Sequence, residues 1–153
     1  MAAQTFTARV HAGPMKVRTA RPSDLPSVNR LYFQLNPGRR RDGRFRSLRP
    51  SVRAKVIVAE EEGEAVGFVW AHLVGYASAR VGYVEELFVL PEFRRRGVAT
   101  RLMKEAMRWF ETQRPPVVFV SSSAGDRRAW RFYGSLGFRR TRGPWFCWVP
   151  KRR

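Results

Sequence analysis

The chain has 153 residues, 44% hydrophobic and 13% aromatic, which is enough for the core of one globular domain. It has no apolar run of about eighteen residues, a single cysteine and two histidines, which excludes a membrane-spanning helix and an intramolecular disulfide and disfavours a structural zinc site. Residues 1–18 lack the apolar stretch of a secretory signal, so we expect a cytoplasmic, metal-free protein.

The chain is strongly basic, with thirty Lys and Arg residues against twelve Asp and Glu residues and a formal net charge of +18. The excess lies in 1–60 and 91–153, whereas 61–90 is net acidic. This charge favours polyanions such as phosphorylated cofactors, RNA, DNA or acidic protein surfaces. A solvated basic surface with no dedicated partner explains it about equally well.

The first half of the chain predicts a strand, a helix and a hairpin. Residues 1–14 show no sustained period and are expected to be a flexible lead-in to a domain over 15–153. A strand is predicted over 16–20, then a helix capped by Ser23 that ends near residue 36. Residues 36–53 are irregular and contain seven arginines, with a short second helix as one option. Strands over 55–60 and 65–74, joined by an acidic turn, form the hairpin.

The second half alternates strands with two amphipathic helices. Strands are predicted over 83–90, 117–120 and 145–149, and helices over 97–113 and from Asp126 to Gly137. The element order predicts a single-domain α/β fold. Its mostly antiparallel mixed sheet has about six to seven strands and is flanked by about four helices.

The segment between the fourth strand and the next helix has the features of an anion site. Arg94-x-x-Gly97-x-Ala99 lies where several backbone N–H groups and the positive end of a helix dipole meet. Gly97 permits close approach of a diphosphate, and the arginines supply counter-charge. The alternative is a basic loop that only caps a core helix.

Two motifs in the correct order resemble the GNAT superfamily of acyl-CoA-dependent N-acyltransferases. The first is the Arg94-x-x-Gly97-x-Ala99 loop. The second, downstream, has Asp where the family more often has Asn: Asp126-x-x-Ala129-x-x-Phe132-Tyr133-x-x-Leu136-Gly137-Phe138. The resemblance covers roughly 15–149. It implies acetyl-CoA as the acyl donor, a primary amine as acceptor and no metal.

The resemblance also implies where the donor binds. A bulge in the fourth strand would expose backbone groups of Leu87, Phe88 and Val89 to the pantetheine arm, and one amide would face the thioester carbonyl. The pyrophosphate would bind the backbone amides that follow Arg94, namely those of Arg95, Arg96, Gly97, Val98, Ala99 and Thr100. Asp126 or the serines of 121–123 would contact the pantetheine, with helix capping as the alternative for Asp126.

Acylation of an ammonium needs a base for the amine and an acid for the leaving thiolate. By the resemblance, Glu85 is the base and Tyr133 the acid, in a direct transfer without an acyl-enzyme. Strand alternation is expected to send Glu85 and Glu86 to opposite faces, so that only one reaches the cleft. His72 is an alternative base, and Glu85 as a surface carboxylate or Tyr133 as a core residue are the structural alternatives.

The acceptor is not identified by the sequence. In this family the segment here numbered 36–53 commonly walls the acceptor site, and its arginines disfavour a polycation and favour an acidic or RNA-associated target. Two other classes stay open: a nucleic-acid-binding module using the arginines of 127–142, and a non-catalytic CoA-binding subunit. A homodimer is also compatible with the family, and Cys147 is expected to be inert.

Overall fold

The protein is described by a computed structural model that covers residues 14–38, 45–49, 51, 53–76, 79–123, 125–143 and 145–151. All but the last residue of the expected lead-in over 1–14 lies outside these ranges. The strands are β1 (Lys16–Thr19), β2 (Ala54–Glu61), β3 (Glu64–Tyr76), β4 (Ala79–Val89), β5 (Val118–Ser121), β6 (Arg139–Arg140) and β7 (Trp145–Trp148). The helices are α1 (Leu25–Leu35), α2 (Val98–Gln113) and α3 (Arg127–Ser135).

One seven-stranded sheet organises the molecule, in the order β1-β2-β3-β4-β5-β7-β6. Every neighbouring pair is antiparallel except β4 and β5, which are parallel. The predicted α/β class and mostly antiparallel mixed sheet are confirmed. The two-residue β6 was not predicted, because two arginines give no apolar pattern.

The expected helix count of about four is too high, since the described residues contain three α-helices. The optional helix in the arginine-rich segment does not form over 45–49, where the side chains pack individually. The backbone of Phe45 exchanges two hydrogen bonds with the amide group of Asn29, at 2.8 and 3.0 Å, and Leu48 is buried. Arg39, Arg40, Arg41 and Arg44 lie outside the described residues.

The start of α1 also differs from the prediction, because its N-cap residue is Asp24 rather than Ser23. Pro22–Asp24 form a 3-10 turn, and Asp24 accepts a hydrogen bond from the backbone N–H of Arg21 at 2.6 Å. Arg18 of β1 donates to Asp24 at 2.7 Å and to Glu60 of β2 at 2.9 Å. The Arg18 guanidinium holds the pKa of Asp24 below its usual range, so a charged network joins β1, β2 and α1.

The sheet separates two apolar layers. Helix α1 packs on one face through Val28, Leu31 and Tyr32, and α2 and α3 pack on the other. Gly82 permits the close approach of α2, since a Cβ there would lie 2.7 Å from the ring of Phe110. Among the described residues, no helix has the length and apolarity needed to cross a membrane.

The parallel pair β4 and β5 is short, and this positions the site. The two strands are in register only over three residue pairs, ending at Val84 and Val120. Strand β4 continues to Val89, whereas β5 ends at Ser121. The sheet therefore opens beyond Val84, with α2 and α3 beside the gap.

Candidate active site

A cleft of about 750 Å³ lies where β4 and β5 separate. Its walls are the end of β4, the loop before α2, the first turn of α2 and one side of α3. Ten of the eleven residues predicted for the donor line it: Leu87, Phe88, Val89, Arg94, Arg95, Gly97, Val98, Ala99, Thr100 and Asp126. The geometry therefore brings the two sequence motifs to one cleft.

Six further lining residues were not selected from the sequence: Leu35, Phe93, Arg128, Ala129, Arg131 and Phe132. Ala129 and Phe132 belong to the second motif and could have been found there. Arg128 and Arg131 are three residues apart on α3, a spacing that places both on one side of a helix. The sequence did not indicate that Leu35 lines the cleft, because its helical spacing predicts only a core residue.

The loop before α2 has an open backbone cradle. Arg95 and Gly97 have positive φ angles of 63° and 74°, and α2 begins at the next residue, Val98. The first N–H groups of a helix have no partner within it and are available to an anion. A Cβ built on Gly97 would meet no atom within 4 Å, so the space above the cradle is free. These features fit a diphosphate.

The three arginines of the loop have different environments. Arg94 donates through Nε to the carbonyl of Val89 at 2.9 Å and lies over the ring of Phe88. Arg95 is exposed and lines the cleft. Arg96 instead donates to the carboxylate of Glu61 at 2.6 Å. The side chains of Arg94 and Arg96 therefore fix the loop to β4 and β2.

A β-bulge in β4 places both glutamates on the α1 face. Trp70 pairs with Glu86 and Ala71 with Val84, so Glu85 is the extra residue. Glu85 contacts His72 on the α1 face, and Glu86 accepts a hydrogen bond at 3.3 Å from Asn36, which follows α1. The predicted opposite placement of the two glutamates is wrong, because a bulge interrupts strand alternation.

Two of the proposed bases form one pair. His72 Nε2 lies 2.9 Å from Glu85 Oε2, and the side chains are 22% and 44% exposed. The imidazole stacks on Tyr83, with 5.9 Å between ring centroids and 22° between planes. This pair can accept a proton at a partly solvated position, directly beside the point where the strands separate.

Tyr133 is buried beside the cleft. It is 8% exposed and its ring lies against Phe132, Phe138 and Phe146. Burial raises the pKa of Tyr133 to about 12, and the negative charges of Asp126 and Glu86 act in the same direction. The phenol is therefore protonated at neutral pH, and it is not among the residues that line the cleft.

The loop between β5 and α3 completes the site. Asp126 accepts a hydrogen bond from the backbone N–H of Ala129 at 2.9 Å, so it caps α3 while it lines the cleft. Within the described residues, the Ser122 hydroxyl is buried and has no hydrogen-bond partner. Cys147 is half-buried, in register with Phe119.

The chain matches the model of the acetyltransferase (GNAT) family over residues 25–138. It belongs to the GNAT family. An uncharacterised N-acetyltransferase of Archaeoglobus fulgidus is 35% identical over 140 residues, covering 82% of this chain and 94% of its own length. The aminoglycoside N(6')-acetyltransferase type 1 of Salmonella enteritidis is 28% identical over 135 residues, covering 83% and 93%.

Solved structures of GNAT enzymes have the same fold. The aminoglycoside N-acetyltransferase AAC(6')-Iy, in complex with the bisubstrate analogue CoA-S-monomethyl-acetylneamine, is 26% identical with a TM-score of 0.75, covering 92% of this chain and 98% of its own. Its complex with CoA has a TM-score of 0.76 at 24% identity, covering 95% and 99%. The chain is therefore a GNAT N-acetyltransferase with acetyl-CoA as its acyl donor, as predicted.

Proposed function

We propose that this enzyme transfers the acetyl group directly from acetyl-CoA to a primary amine within a ternary complex. Glu85 is the general base, Tyr133 is the general acid, and the loop over 94–100 binds the diphosphate of the donor. The observation that carries the proposal is the bulge at Glu85. It places a carboxylate on the α1 face of β4 one residue beyond the last β4–β5 pair.

The donor binding is supported by the shape and chemistry of the cleft. Backbone amides at the start of α2 are available to an anion, and Leu87, Phe88 and Val89 supply an edge of β4 along which an extended arm can hydrogen-bond. Acetyl-CoA supplies the activated thioester carbonyl. The protein holds it in the gap between β4 and β5, with the acceptor on the α1 face.

The proposed proton transfers use the carboxylate of Glu85 and the phenol of Tyr133. Glu85 accepts a proton from the acceptor ammonium, directly or through water, and the freed nitrogen lone pair attacks the carbonyl carbon. As the carbon–sulfur bond breaks, the attacking nitrogen loses its second proton to water, and Tyr133 donates its proton to the leaving thiolate and is reprotonated from solvent. The raised pKa of Tyr133 ensures that it enters the reaction protonated.

A second candidate for the acceptor is an aminoglycoside. The Salmonella relatives and AAC(6')-Iy carry that activity in their names. The net charge of +18 opposes the approach of such a polycation, although Glu85 and Glu86 provide local attraction. Neamine therefore belongs in the acceptor panel.

The test is steady-state acetyl transfer by the wild type and by Glu85→Gln, Glu86→Gln and His72→Gln. Removing the base should lower kcat/KM by roughly 100-fold and remove its titration from the pH profile. The control, Glu111→Gln, changes an exposed carboxylate on the other side of the sheet. A fall in kcat/KM seen only in Glu86→Gln or only in His72→Gln would identify that residue, rather than Glu85, as the base.

The same assay tests the acid. Tyr133→Phe keeps the ring and its packing, so kcat should fall by roughly 100-fold with little change in thermal stability or acetyl-CoA affinity. An unchanged kcat, where the chemical step limits turnover, would make Tyr133 a core residue only.

A further inference from the structure

A row of aromatic rings crosses the α1 face of the sheet beside Glu85. Trp70 and His72 lie 5.4 Å apart by ring centroids, His72 and Tyr83 5.9 Å, and Tyr83 and Phe119 5.7 Å. Trp145 meets Tyr83 edge to face at 5.7 Å. The five rings, here called the aromatic row, come from β3, β4, β5 and β7.

The row is on the acceptor side and is accessible. Trp70 packs with the apolar layer under α1, and His72, Tyr83 and Phe119 are paired across adjacent strands, which puts them on one face. Trp145 is 37% exposed, a large fraction for an indole ring of the sheet. A molecule whose amine reaches Glu85 can therefore also contact these rings.

The charged side chains near the aromatic row have opposite signs at its two ends. Glu85 contacts His72 and Glu86 lies opposite Trp70, so both carboxylates are at the β3 end of the row, where they attract an ammonium group. At the other end, Arg140 stacks on Trp130 of α3, so alternation turns the preceding Arg139 to the face of the row. A second cationic group on the acceptor would meet Arg139 and the overall positive charge.

We propose that the acceptor is a monoamine whose primary ammonium binds at Glu85 and whose apolar ring rests on Tyr83, Phe119 and Trp145. This inference rests on the proposed function and narrows its substrate class to arylalkylamine-type acceptors. The aromatic row buries the apolar ring of the acceptor, and the carboxylate of Glu85 binds its ammonium group. A polyhydroxylated polycation has no apolar ring to bury against the aromatic row, and its further positive charges would be repelled by Arg139.

The experiment measures amine binding separately from acetyl transfer. Protein saturated with CoA is titrated calorimetrically with 2-phenylethylamine, n-propylamine and neamine. Burial of the ring should make 2-phenylethylamine bind at least about tenfold more tightly than propylamine. Equal affinity for those two amines, or tighter binding of neamine, would overturn the proposal.

Trp145→Ala should reduce the preference for 2-phenylethylamine over propylamine to within about threefold. The matched control is Val149→Ala, which changes an exposed apolar residue just after β7 and outside the row. Calorimetry with acetyl-CoA confirms that both variants are folded. A full preference retained in Trp145→Ala would remove this residue from the acceptor site and contradict the proposal.

Acetyl transfer to the same amines separates the two hypotheses. Turnover of propylamine and phenylethylamine at equal kcat/KM would support the proposed function and overturn the acceptor class. Selective binding of phenylethylamine without any transfer would support the acceptor class and overturn the proposed function.

Discussion

Glu61 is a buried carboxylate whose partner lies in the cofactor loop. Its side chain is 1% exposed at the end of β2, and it accepts two hydrogen bonds from Arg96, at 2.6 and 3.4 Å. Arg96 immediately precedes Gly97, so the pair connects the sheet to the loop that we propose binds the diphosphate. A buried charge of this kind is tolerated because it is paired, and its value here is the position it gives to the loop.

We therefore expect Glu61→Gln to weaken acetyl-CoA binding by roughly tenfold, because it loosens the loop, while kcat at saturating donor stays near the wild-type value. Calorimetry and a KM-against-kcat comparison measure this, with Glu62→Gln in the exposed turn as control. Because Glu61 acts through Arg96, the double variant Glu61→Gln/Arg96→Gln should be no worse than the more damaging single variant. A fall in kcat with unchanged donor affinity would contradict the positioning role.

The family resemblance predicted a bulge in β4, but the sequence did not show that its extra residue is Glu85. The motifs identified Glu85, but alternation gave the wrong face for Glu86, because the extra residue is visible only once Trp70 and Val84 are paired with their partners. The aromatic row was also missed. Its members lie at positions 70, 72, 83, 119 and 145, and only the strand order brings them together.

At the scale of elements, the junction of loop and α2 was predictable. The apolar spacing of α2 is strong, and the glycine before it was expected to allow close approach of an anion. The structure gives Gly97 a positive φ of 74° and no neighbour within 4 Å of a Cβ position. The absence of a fourth helix from the described residues was less predictable, since Leu48 is buried and Phe45 partly buried without helical periodicity.

A matched pair of substitutions tests this junction. Gly97→Asn and Gly97→Asp have side chains of the same shape, and both residues accept positive φ better than most. Both should fold, at a similar cost of about 1 kcal/mol. Only Asp adds a negative charge next to the diphosphate, so it should weaken acetyl-CoA binding by roughly 100-fold more than Asn does. Equal affinities in two folded variants would place the diphosphate elsewhere.

At the scale of the whole molecule, the charge has two separable consequences. Arg128 and Arg131 line the cleft, where an anion is also held by directed backbone amides. Arg127, Arg139 and Arg142 are exposed and are absent from the lining of the cleft. We expect the first group to contact the donor and the second to contribute a diffuse positive potential.

The affinities for ligands bound by these two groups of arginines should depend differently on salt concentration. Between about 50 and 200 mM salt, RNA held only by phosphate contacts should lose roughly 1,000-fold in affinity, whereas the affinity for acetyl-CoA should change by less than about tenfold. Arg139→Gln/Arg142→Gln should weaken RNA retention and lower its salt dependence while acetyl-CoA affinity stays at the wild-type value. Fluorescence anisotropy with a short single-stranded RNA and calorimetry with acetyl-CoA measure the two affinities. RNA binding that persists at high salt would instead indicate a built nucleic-acid site, and the acceptor would then have to be sought among RNA-associated amines.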